Sequence, residues 1–437
     1  MTHKKLIASI LIVCLILLCA GIILVSWLSI SRISTSGIHL RLFNLGQFSA
    51  ETDREWSFKA DGPTKLVVDS SSGNIDIVAG EGNEIKVTAH ITTWGYTSKL
   101  AENALVNIII EVKQEGNQVI LRYKSPEGIL RIGSTQFDAV DFTVSVPEEC
   151  SVNASTNIGK ITVVGIAGDA DLHSDFGNLS ISDMEGNLSA DTNSGDIYTQ
   201  RIEARQKTIS LETEFGVIEL EQVRAHSIEA RTNNGKVDIE DIGATGEVTL
   251  HNSFGDIQIM DSSCISLTID TSSGKISING INVRDMLVAS SDFGDISVEQ
   301  VNASGYDLST NSGNISIHDG FGSIKAYTEF GGIVISGTKN ADLDLRTKSG
   351  EIEFSGSLGD GPHSLKAEFG NIHLTLPENT RLTFDLKTEY GKLESVFPIT
   401  LSGEVEGDHW KGTINGGGAV LQAQTNNGNI KLDLLTE

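Results

Sequence analysis

The sequence predicts an all-β fold: a single-stranded parallel β-solenoid with rungs of about 19 residues, preceded by an N-terminal transmembrane helix. Two observations predict the solenoid. A glycine recurs every 18 to 21 residues, and short stretches of alternating apolar and polar residues flank it. A long apolar run near the start of the chain predicts the helix. A right-handed coil is the default for parallel β crossovers. The glycines in register are Gly159, Gly177, Gly195, Gly216, Gly235, Gly255, Gly274, Gly294, Gly313, Gly331, Gly350, Gly370 and Gly391.

Each repeat has the form of a strand, a glycine corner, a second strand and a polar return loop. Residues 310–317, with the sequence TNSGNISI, are typical. Apolar residues fall at odd offsets before the glycine and at even offsets after it, so the inward face changes parity at the corner. Glycine tolerates the backbone angles that such a corner requires. One unit cannot bury its apolar face alone, whereas stacked units share a continuous core.

Aromatic residues mark every second corner. The residue before the glycine is Phe176, Phe215, Phe254, Phe293, Phe330 or Phe369 in these units. In the units between them it is Ser194, Asn234, Ser273, Ser312 or Ser349. The rings could form a packing ladder inside the solenoid or an exposed strip that binds sugars or peptides. We favour packing, because large apolar residues at a fixed register are usually core residues.

The N-terminal segment predicts a membrane anchor. Residues 6–28 form an almost unbroken apolar run, long enough to cross a bilayer as a helix. Lys4 and Lys5 favour a cytoplasmic N-terminus for residues 1–5 and place the rest of the chain outside the cytoplasm. A cleaved signal peptide is the alternative, but its apolar region is normally shorter. Residues 29–62 are predicted to be a linker that leads into the β region.

The remaining chain divides into a cap, an array and a second cap. Residues 63–150 predict an N-terminal β cap that contains the first copy of the repeat at Gly73, with a short helical turn at 98–104. Residues 151–395 are the repeat array, whose thirteen rungs predict a rod of roughly 60 Å. Residues 396–437 predict a C-terminal cap with a last copy at Gly428.

Composition excludes several classes of partner. Lysine and arginine total 32 against 58 aspartate and glutamate residues, giving a net charge of −26. This excess of negative charge argues against a nucleic-acid partner and disfavours docking on anionic lipid, because both require neutralising cations. Of the four cysteines, Cys14 and Cys19 lie in the apolar run. Cys150 and Cys264 lie several rungs apart, so we predict two buried free thiols rather than a disulfide.

The sequence resembles bacterial surface proteins of the DUF4097 type, a group of candidate adhesins with related GIN-domain proteins. The resemblance depends on the recurring Ser/Asn-Gly-Asp/Asn/Lys-Ile motif, on Val146-Pro147 before the array, and on the closing pattern from Trp410 through Gly416–Gly418 to residues 427–430. It covers residue 64 to the end. It implies a β-solenoid on the extracytoplasmic side of the membrane, and the family supplies no catalytic residues to transfer.

We predict no catalytic, cofactor-binding or metal-binding residue. Asp169, Asp171 and Asp175 come closest to a calcium ligand set, but they lack the spacing of a calcium loop. Stacked acids such as Asp196, Asp238, Asp256 and Asp295 form charged stripes, which are usually solvated faces. Parallel β-helices include polysaccharide lyases and hydrolases, yet the array has no insertion that would build a site.

The favoured hypothesis is a non-catalytic, membrane-anchored adhesion or interaction module. Its predicted partner is a cell-surface glycan or an envelope protein, reached by lateral contact along a rigid rod. One alternative is an envelope scaffold or stress-regulatory protein that binds partner proteins. A carbohydrate-active enzyme is the other.

Overall fold

A computed structural model describes residues 48–125, 138–402 and 407–435 of the chain. Residues 46–437 form one compact unit. This unit is an all-β parallel solenoid of about 11 turns, which confirms the solenoid part of the predicted fold class. The turns follow one another from the corner at Gly159 to the corner at Gly370.

Two long parallel ladders and one short ladder form the sides of the solenoid. In each turn the strand before the glycine belongs to the first ladder, and the strand after it belongs to the second. For example, Leu211 pairs with Ala230, while Ile197 pairs with Ile218. The third ladder is short, and it includes the pairing of Gly243 with Ser263.

The N-terminal region is a cap of mixed strands. Its elements are β1 (Phe48–Lys59), β2 (Thr64–Ser70), β3 (Ile75–Ala79), β4 (Glu84–Gly95), α1 (Ser98–Asn107), β5 (Ile110–Glu115), β6 (Gln118–Tyr123) and β7 (Asp138–Val146). β1, β4 and β7 pair antiparallel in that order, and β7 joins the solenoid by pairing parallel with β3. Part of the predicted linker, residues 48–59, is therefore an edge strand. The predicted helical turn is confirmed as α1, whose N-terminus is capped by the Thr97 hydroxyl.

The array consists mainly of short strands, but three longer ones run from just after one corner glycine to just before the next. They are β8 (Cys150–Ile158), β9 (Ile161–Val164), β10 (Ala170–Phe176), β11 (Leu179–Glu185), β12 (Leu188–Ser194), β13 (Ile197–Phe215), β14 (Ile218–Asn234), β15 (Val237–Ala244), β16 (Glu247–Phe254), β17 (Ile257–Met260), β18 (Ser263–Cys264), β19 (Ser266–Ser273), β20 (Ile276–Asn279), β21 (Asn282–Val283), β22 (Met286–Phe293), β23 (Ile296–Glu299), β24 (Gly305–Ser312), β25 (Ile315–His318), β26 (Phe321–Phe330), β27 (Ile333–Ser349), β28 (Ile352–Leu358), β29 (His363–Phe369) and β30 (Ile372–Leu376).

The C-terminal strands do not stack in chain order. They are β31 (Leu382–Tyr390), β32 (Leu393–Ser395), β33 (Ile399–Leu401), β34 (His409–Ile414), β35 (Ala419–Asn427) and β36 (Ile430–Leu434). β35 lies between β29 and β31, and β36 lies between β30 and β32. The last copy of the repeat, at Gly428, is therefore an internal rung. Gly391 stacks on Gly428, which corrects the expectation that it stacks on Gly370.

A narrow apolar core runs the length of the solenoid. The second residue after each corner glycine is buried, and it is isoleucine in most rungs, as in Ile197, Ile218 and Ile257. A β-branched residue suits this place because it packs well on a pleated surface. Cys150 and Cys264 are free and buried, as predicted, and burial raises the pKa of the Cys264 thiol to about 12.

The described residues contain no helix long and apolar enough to span a bilayer. The predicted transmembrane segment, residues 6–28, lies outside the described part of the chain, as do residues 1–5 and most of the predicted linker.

Candidate binding surface at the glycine corners

The corner glycines form a column in which no side chain fits. A Cβ atom on Gly255 would lie 1.9 Å from the carbonyl oxygen of Gly235, one rung below. Every corner glycine from Gly159 onward meets the carbonyl oxygen of its neighbour at 1.8 to 2.1 Å in this way. Gly255 also has a φ of +134°. Turn angles, which the sequence pattern indicates, are therefore only part of the reason for glycine here; the stronger requirement is the close approach of one backbone to the next.

Buried hydroxyl groups support the same column. Thr328, three residues before its corner glycine, donates a hydrogen bond of 3.0 Å to the carbonyl oxygen of Gly313. Ser174, Thr192, Thr213, Thr232, Thr310, Thr347, Thr388 and Thr425 make equivalent bonds. Sequence reasoning missed this role, although a serine or threonine at the third position before most of the glycines indicates it.

Asparagine and aspartate residues just after the glycine bond successive rungs together. The side chain of Asp196 accepts a hydrogen bond of 2.9 Å from the backbone N–H of Val217, and Asp256 and Asp295 accept equivalent bonds. These three acids are corner supports. Asp238 is not equivalent to them, because it lies two residues further along, in β15, and pairs with Lys236.

The aromatic residues at the corners point into solvent. Phe215 is 57% exposed and Phe293 is 65% exposed. The favoured interpretation, a packing ladder inside the core, is therefore wrong. The pairing of strands explains why: the register skips the residue two places before each glycine, such as Asp175 opposite Asn193. The backbone bends there, so the next side chain leaves the inward face.

These exposed rings form what we call the aromatic strip. It consists of Phe176, Phe215, Phe254, Phe293, Phe330, Phe369 and Tyr390. In the paired register each ring lies opposite a serine or asparagine on the next rung, as Phe254 does opposite Ser273. The inserted C-terminal strand preserves this alternation, because Asn427 lies between Phe369 and Tyr390. Along the stack, a ring therefore recurs at every second corner from Gly177 to Gly391.

Carboxylates line one side of the aromatic strip. The residue before the ring is acidic in six of the seven rungs: Asp175, Glu214, Asp292, Glu329, Glu368 and Glu389. Asp292 accepts a hydrogen bond from Asn311 on the next rung, and Glu329 forms an ion pair with Lys348. Glu214 and Glu368 are exposed, and no ion pair joins either of them to another described residue.

The predicted acidic candidates for calcium are separately engaged. Asp169 accepts hydrogen bonds from Lys207 and from the backbone of Asn187, and the Lys207 bond is the largest cause of its lowered pKa. Asp171 bonds to Asn153, and Asp175 bonds to Asn193 on a neighbouring rung. Across the described ranges, no three potential ligand side chains group closely enough to hold a metal ion.

Shallow grooves lie on the outer faces of the solenoid. One of about 580 Å³ includes Asn153, Asp169 and Asp171, and one of about 460 Å³ includes Lys366 and Asp385. Burial tends to raise the pKa of Asp385, but hydrogen bonds from His409 and Lys411 lower it overall. A carboxylate kept ionised in this way is poorly suited to act as a general acid.

The chain belongs to the Toastrack DUF4097 family, whose profile matches residues 63–265 and 260–433. The two matches together cover both caps and the array, which make up almost all of the described structure. No curated protein matches the sequence.

Solved structures with similarity to this chain come from three bacteria. A candidate cell adhesion protein from Clostridium sporogenes is 10% identical, with 88% of this chain and 100% of that chain covered and a TM-score of 0.17. A candidate adhesin from Bacteroides fragilis is 13% identical, with 65% and 96% covered and a TM-score of 0.24. A candidate lipid binding protein from Parabacteroides distasonis is 12% identical, with 76% and 94% covered and a TM-score of 0.25. At such low TM-scores none of the three supports a conclusion about this chain.

Proposed function

We propose that this protein is a non-catalytic adhesion or interaction module, anchored in the membrane by residues 6–28 and displayed outside the cytoplasm. The observation that carries the proposal is the aromatic strip. In the described residues, seven exposed rings recur at one corner of the solenoid, whereas other large exposed apolar side chains, such as Val106 and Ile109 of the cap, do not recur along the array. Membership of the Toastrack DUF4097 family supports the same class of function.

The mechanism would be lateral contact with a long partner. The solenoid holds the rings on a stacked backbone, so their spacing is set before binding and little ordering entropy is lost. One ring contributes little, but several rings that contact the same partner act together through effective concentration. A cell-surface glycan or an envelope protein is a partner of suitable length.

Binding to cell-wall material tests the function. The full chain is mixed with isolated wall fractions, with and without calcium, and the bound protein is measured after sedimentation. Binding to glycans printed on a surface is measured in parallel. We expect saturable binding without release of sugar products, because no catalytic residues are proposed. Product release would instead support the carbohydrate-active enzyme. An absence of binding to any fraction would favour an envelope scaffold, whose partners would then be sought by crosslinking in the native membrane.

A matched pair of variants ties that binding to the strip. Phe215, Phe254 and Phe293 are replaced together by serine, which the fold already accepts at the corners between them. The control replaces Ser273 and Ser312 by alanine. We expect the first variant to lose most of its wall binding and the second to retain it. Equal binding by both would place the contact surface elsewhere on the molecule.

Orientation requires its own experiment. We expect a membrane-impermeant amine reagent to label the lysines of the solenoid on cells from which the wall has been mildly removed, without opening the membrane. In a Thr2→Cys variant, a membrane-impermeant cysteine reagent should label position 2 only after the cells are opened. Labelling of residue 2 from outside would contradict the proposed topology.

A further inference from the structure

The aromatic strip has a fixed repeat length. Neighbouring strands of a sheet lie about 4.8 Å apart, so rings on alternate rungs recur about every 9.6 Å. The corners between them carry small polar side chains: Ser194, Asn234, Ser273, Ser312, Ser349 and Asn427. Each pair of consecutive rings is therefore separated by a polar trough one rung wide. A partner that contacts several rings must present an apolar face with the same repeat.

The flank of the strip sets the polarity of the partner. Ionised carboxylates only accept hydrogen bonds. A partner that covers the exposed carboxylates Glu214, Glu368 and Glu389 beside the rings must therefore replace their water with hydrogen-bond donors of its own. The same row of negative charge repels anionic partners, and the net charge of −26 strengthens that repulsion. The surface suits a partner that alternates apolar patches with hydroxyl or amide donors and carries no negative charge.

We infer that the aromatic strip binds an extended, uncharged, β-1,4-linked polysaccharide lying along the solenoid axis; this inference rests on the proposed function. A pyranose ring has a flat C–H face that stacks on an aromatic ring and a rim of hydroxyl donors for the carboxylates. Successive β-1,4-linked sugars alternate in orientation, so the same face recurs once per disaccharide. That length is close to two rungs of the solenoid.

Other occupants fit less well. A second copy of this chain would bring two rows of carboxylates together, and like charges that face one another are destabilising. Side chains on one face of an extended peptide recur about every 6.8 Å, out of step with the rings. A polyproline helix repeats about every 9.3 Å, which is in step. Proline, however, has no backbone N–H and cannot supply the donors that the carboxylates require.

The dependence of affinity on chain length tests the inference. The full chain is titrated calorimetrically with N-acetylchito-oligosaccharides of even length, from the disaccharide to the octasaccharide. We expect each added disaccharide to tighten binding roughly 3- to 10-fold, because it adds one stacked ring. Malto-oligosaccharides of equal length, which are α-linked and helical, should show no such series. Hyaluronan, which is anionic, should bind more weakly than the neutral chains.

Two deletions test the repeat itself. Removal of residues 275–294 takes out one rung and leaves Phe254 and Phe330 three rungs apart. Removal of residues 275–313 takes out two rungs and leaves the same two rings two rungs apart. We expect the octasaccharide to bind the two-rung deletion nearly as well as the intact chain. The one-rung deletion should bind it several-fold more weakly, since no regular chain stays in step across the junction.

The outcomes separate this inference from the proposed function. If chito-oligosaccharides bind no better than malto-oligosaccharides, or affinity does not rise with length, the polysaccharide assignment is overturned. Should the phenylalanine-to-serine variant still lose wall binding in that case, the adhesion function stands with another ligand. Tight binding of poly-L-proline, or dimerisation that the same variant abolishes, would identify that other occupant. If the variant retains both wall binding and sugar binding, the polysaccharide assignment and the proposed role of the aromatic strip are both overturned.

Discussion

Each corner glycine allows close stacking because it has no side chain, so the next rung can approach its carbonyl oxygen. In most rungs that oxygen also accepts a hydrogen bond from a buried hydroxyl group. Gly313 shows the arrangement: a Cβ on Gly331 would lie 2.0 Å from its oxygen, to which Thr328 also donates. The column thus combines close packing with satisfied polar groups in a narrow core.

The close approach predicts the effect of a side chain at one corner. We expect Gly255→Val to destabilise the protein by more than about 4 kcal/mol, because two rungs must separate to admit the side chain. Ser253→Ala is the control and should cost less than about 0.5 kcal/mol, since Ser253 lies at the surface and makes a long bond of 3.5 Å to Asn233. Melting temperatures of the two variants provide the measurement. Similar values would show that the corner does not depend on close stacking.

The hydroxyl column predicts a smaller effect with an internal control. Thr328→Val removes a buried donor and should cost about 1 kcal/mol, measured by urea unfolding. Thr271 occupies the same position on another rung, but its buried hydroxyl has no hydrogen-bond partner. We therefore expect Thr271→Val to be neutral or slightly stabilising. Equal losses in both variants would mean that shape, rather than the hydrogen bond, fixes threonine at this position.

Among the elements, the edge strand β1 is held to β4 partly by a histidine. His90 on β4 lies 2.7 Å from Asp53 on β1 and 4.0 Å from Glu51. The hydrogen bond to Asp53 is the main cause of the raised pKa of His90, and Asp141 on β7 adds to it. Protonation of His90 therefore favours the folded cap.

This pKa shift predicts a pH-dependent contribution to stability. A raised folded pKa stabilises fully below the unfolded value of about 6.5 and is lost as pH rises through the folded pKa. Asp53→Asn should thus loosen β1 more at about pH 5.5 than at about pH 8.5. Hydrogen exchange of the β1 amides measures the difference. Ser57→Ala, which removes a bond to Glu84 from the same strand, should have equal effects at both pH values; equal effects for Asp53→Asn would contradict the prediction.

Sequence periodicity was sufficient to predict the elements of the array, because each rung repeats the same local pattern. It was less informative where pairing depends on distant strands. Exposed and half-buried residues alternate along the edge strand β1, but none of them is fully buried, and the place of the strand is fixed by its pairing with β4. The exposure of Phe254 also escaped prediction, since parity placed it inward and the bend before the glycine is a property of the stacked backbone. The sequence does contain one sign of the order of the last rungs. Phe369 and Tyr390 are aromatic corners that follow each other in the chain, so the alternation requires a polar corner between them, and Asn427 is that corner.

The whole molecule is a stack whose stability is approximately a sum over rungs and the contacts between neighbouring rungs. The last two strands do not extend this stack at its end, because β35 and β36 fill the rung between Gly370 and Gly391. Chain order and spatial order differ only at such places. Two deletions of similar length should therefore change the melting temperature very differently. A deletion that removes the pairing partner of a remaining strand should be harmful, whereas one that removes complete rungs and joins two equivalent corners should not.

Truncation after Ser402 removes the internal rung and should weaken everything beyond Gly370. β31 loses its partner β35, so the apolar residues Leu382 and Leu386 lose the strand that covers their edge. We expect a lower melting temperature and rapid protease cleavage between residues 371 and 402. The control is the deletion of residues 275–313, which joins two equivalent corners and leaves every remaining strand paired. It should melt within a few degrees of the intact protein and resist the protease, because the lost rungs contribute only their own terms. If the two shortened proteins have the same melting temperature, the inserted rung does not stabilise the end of the solenoid.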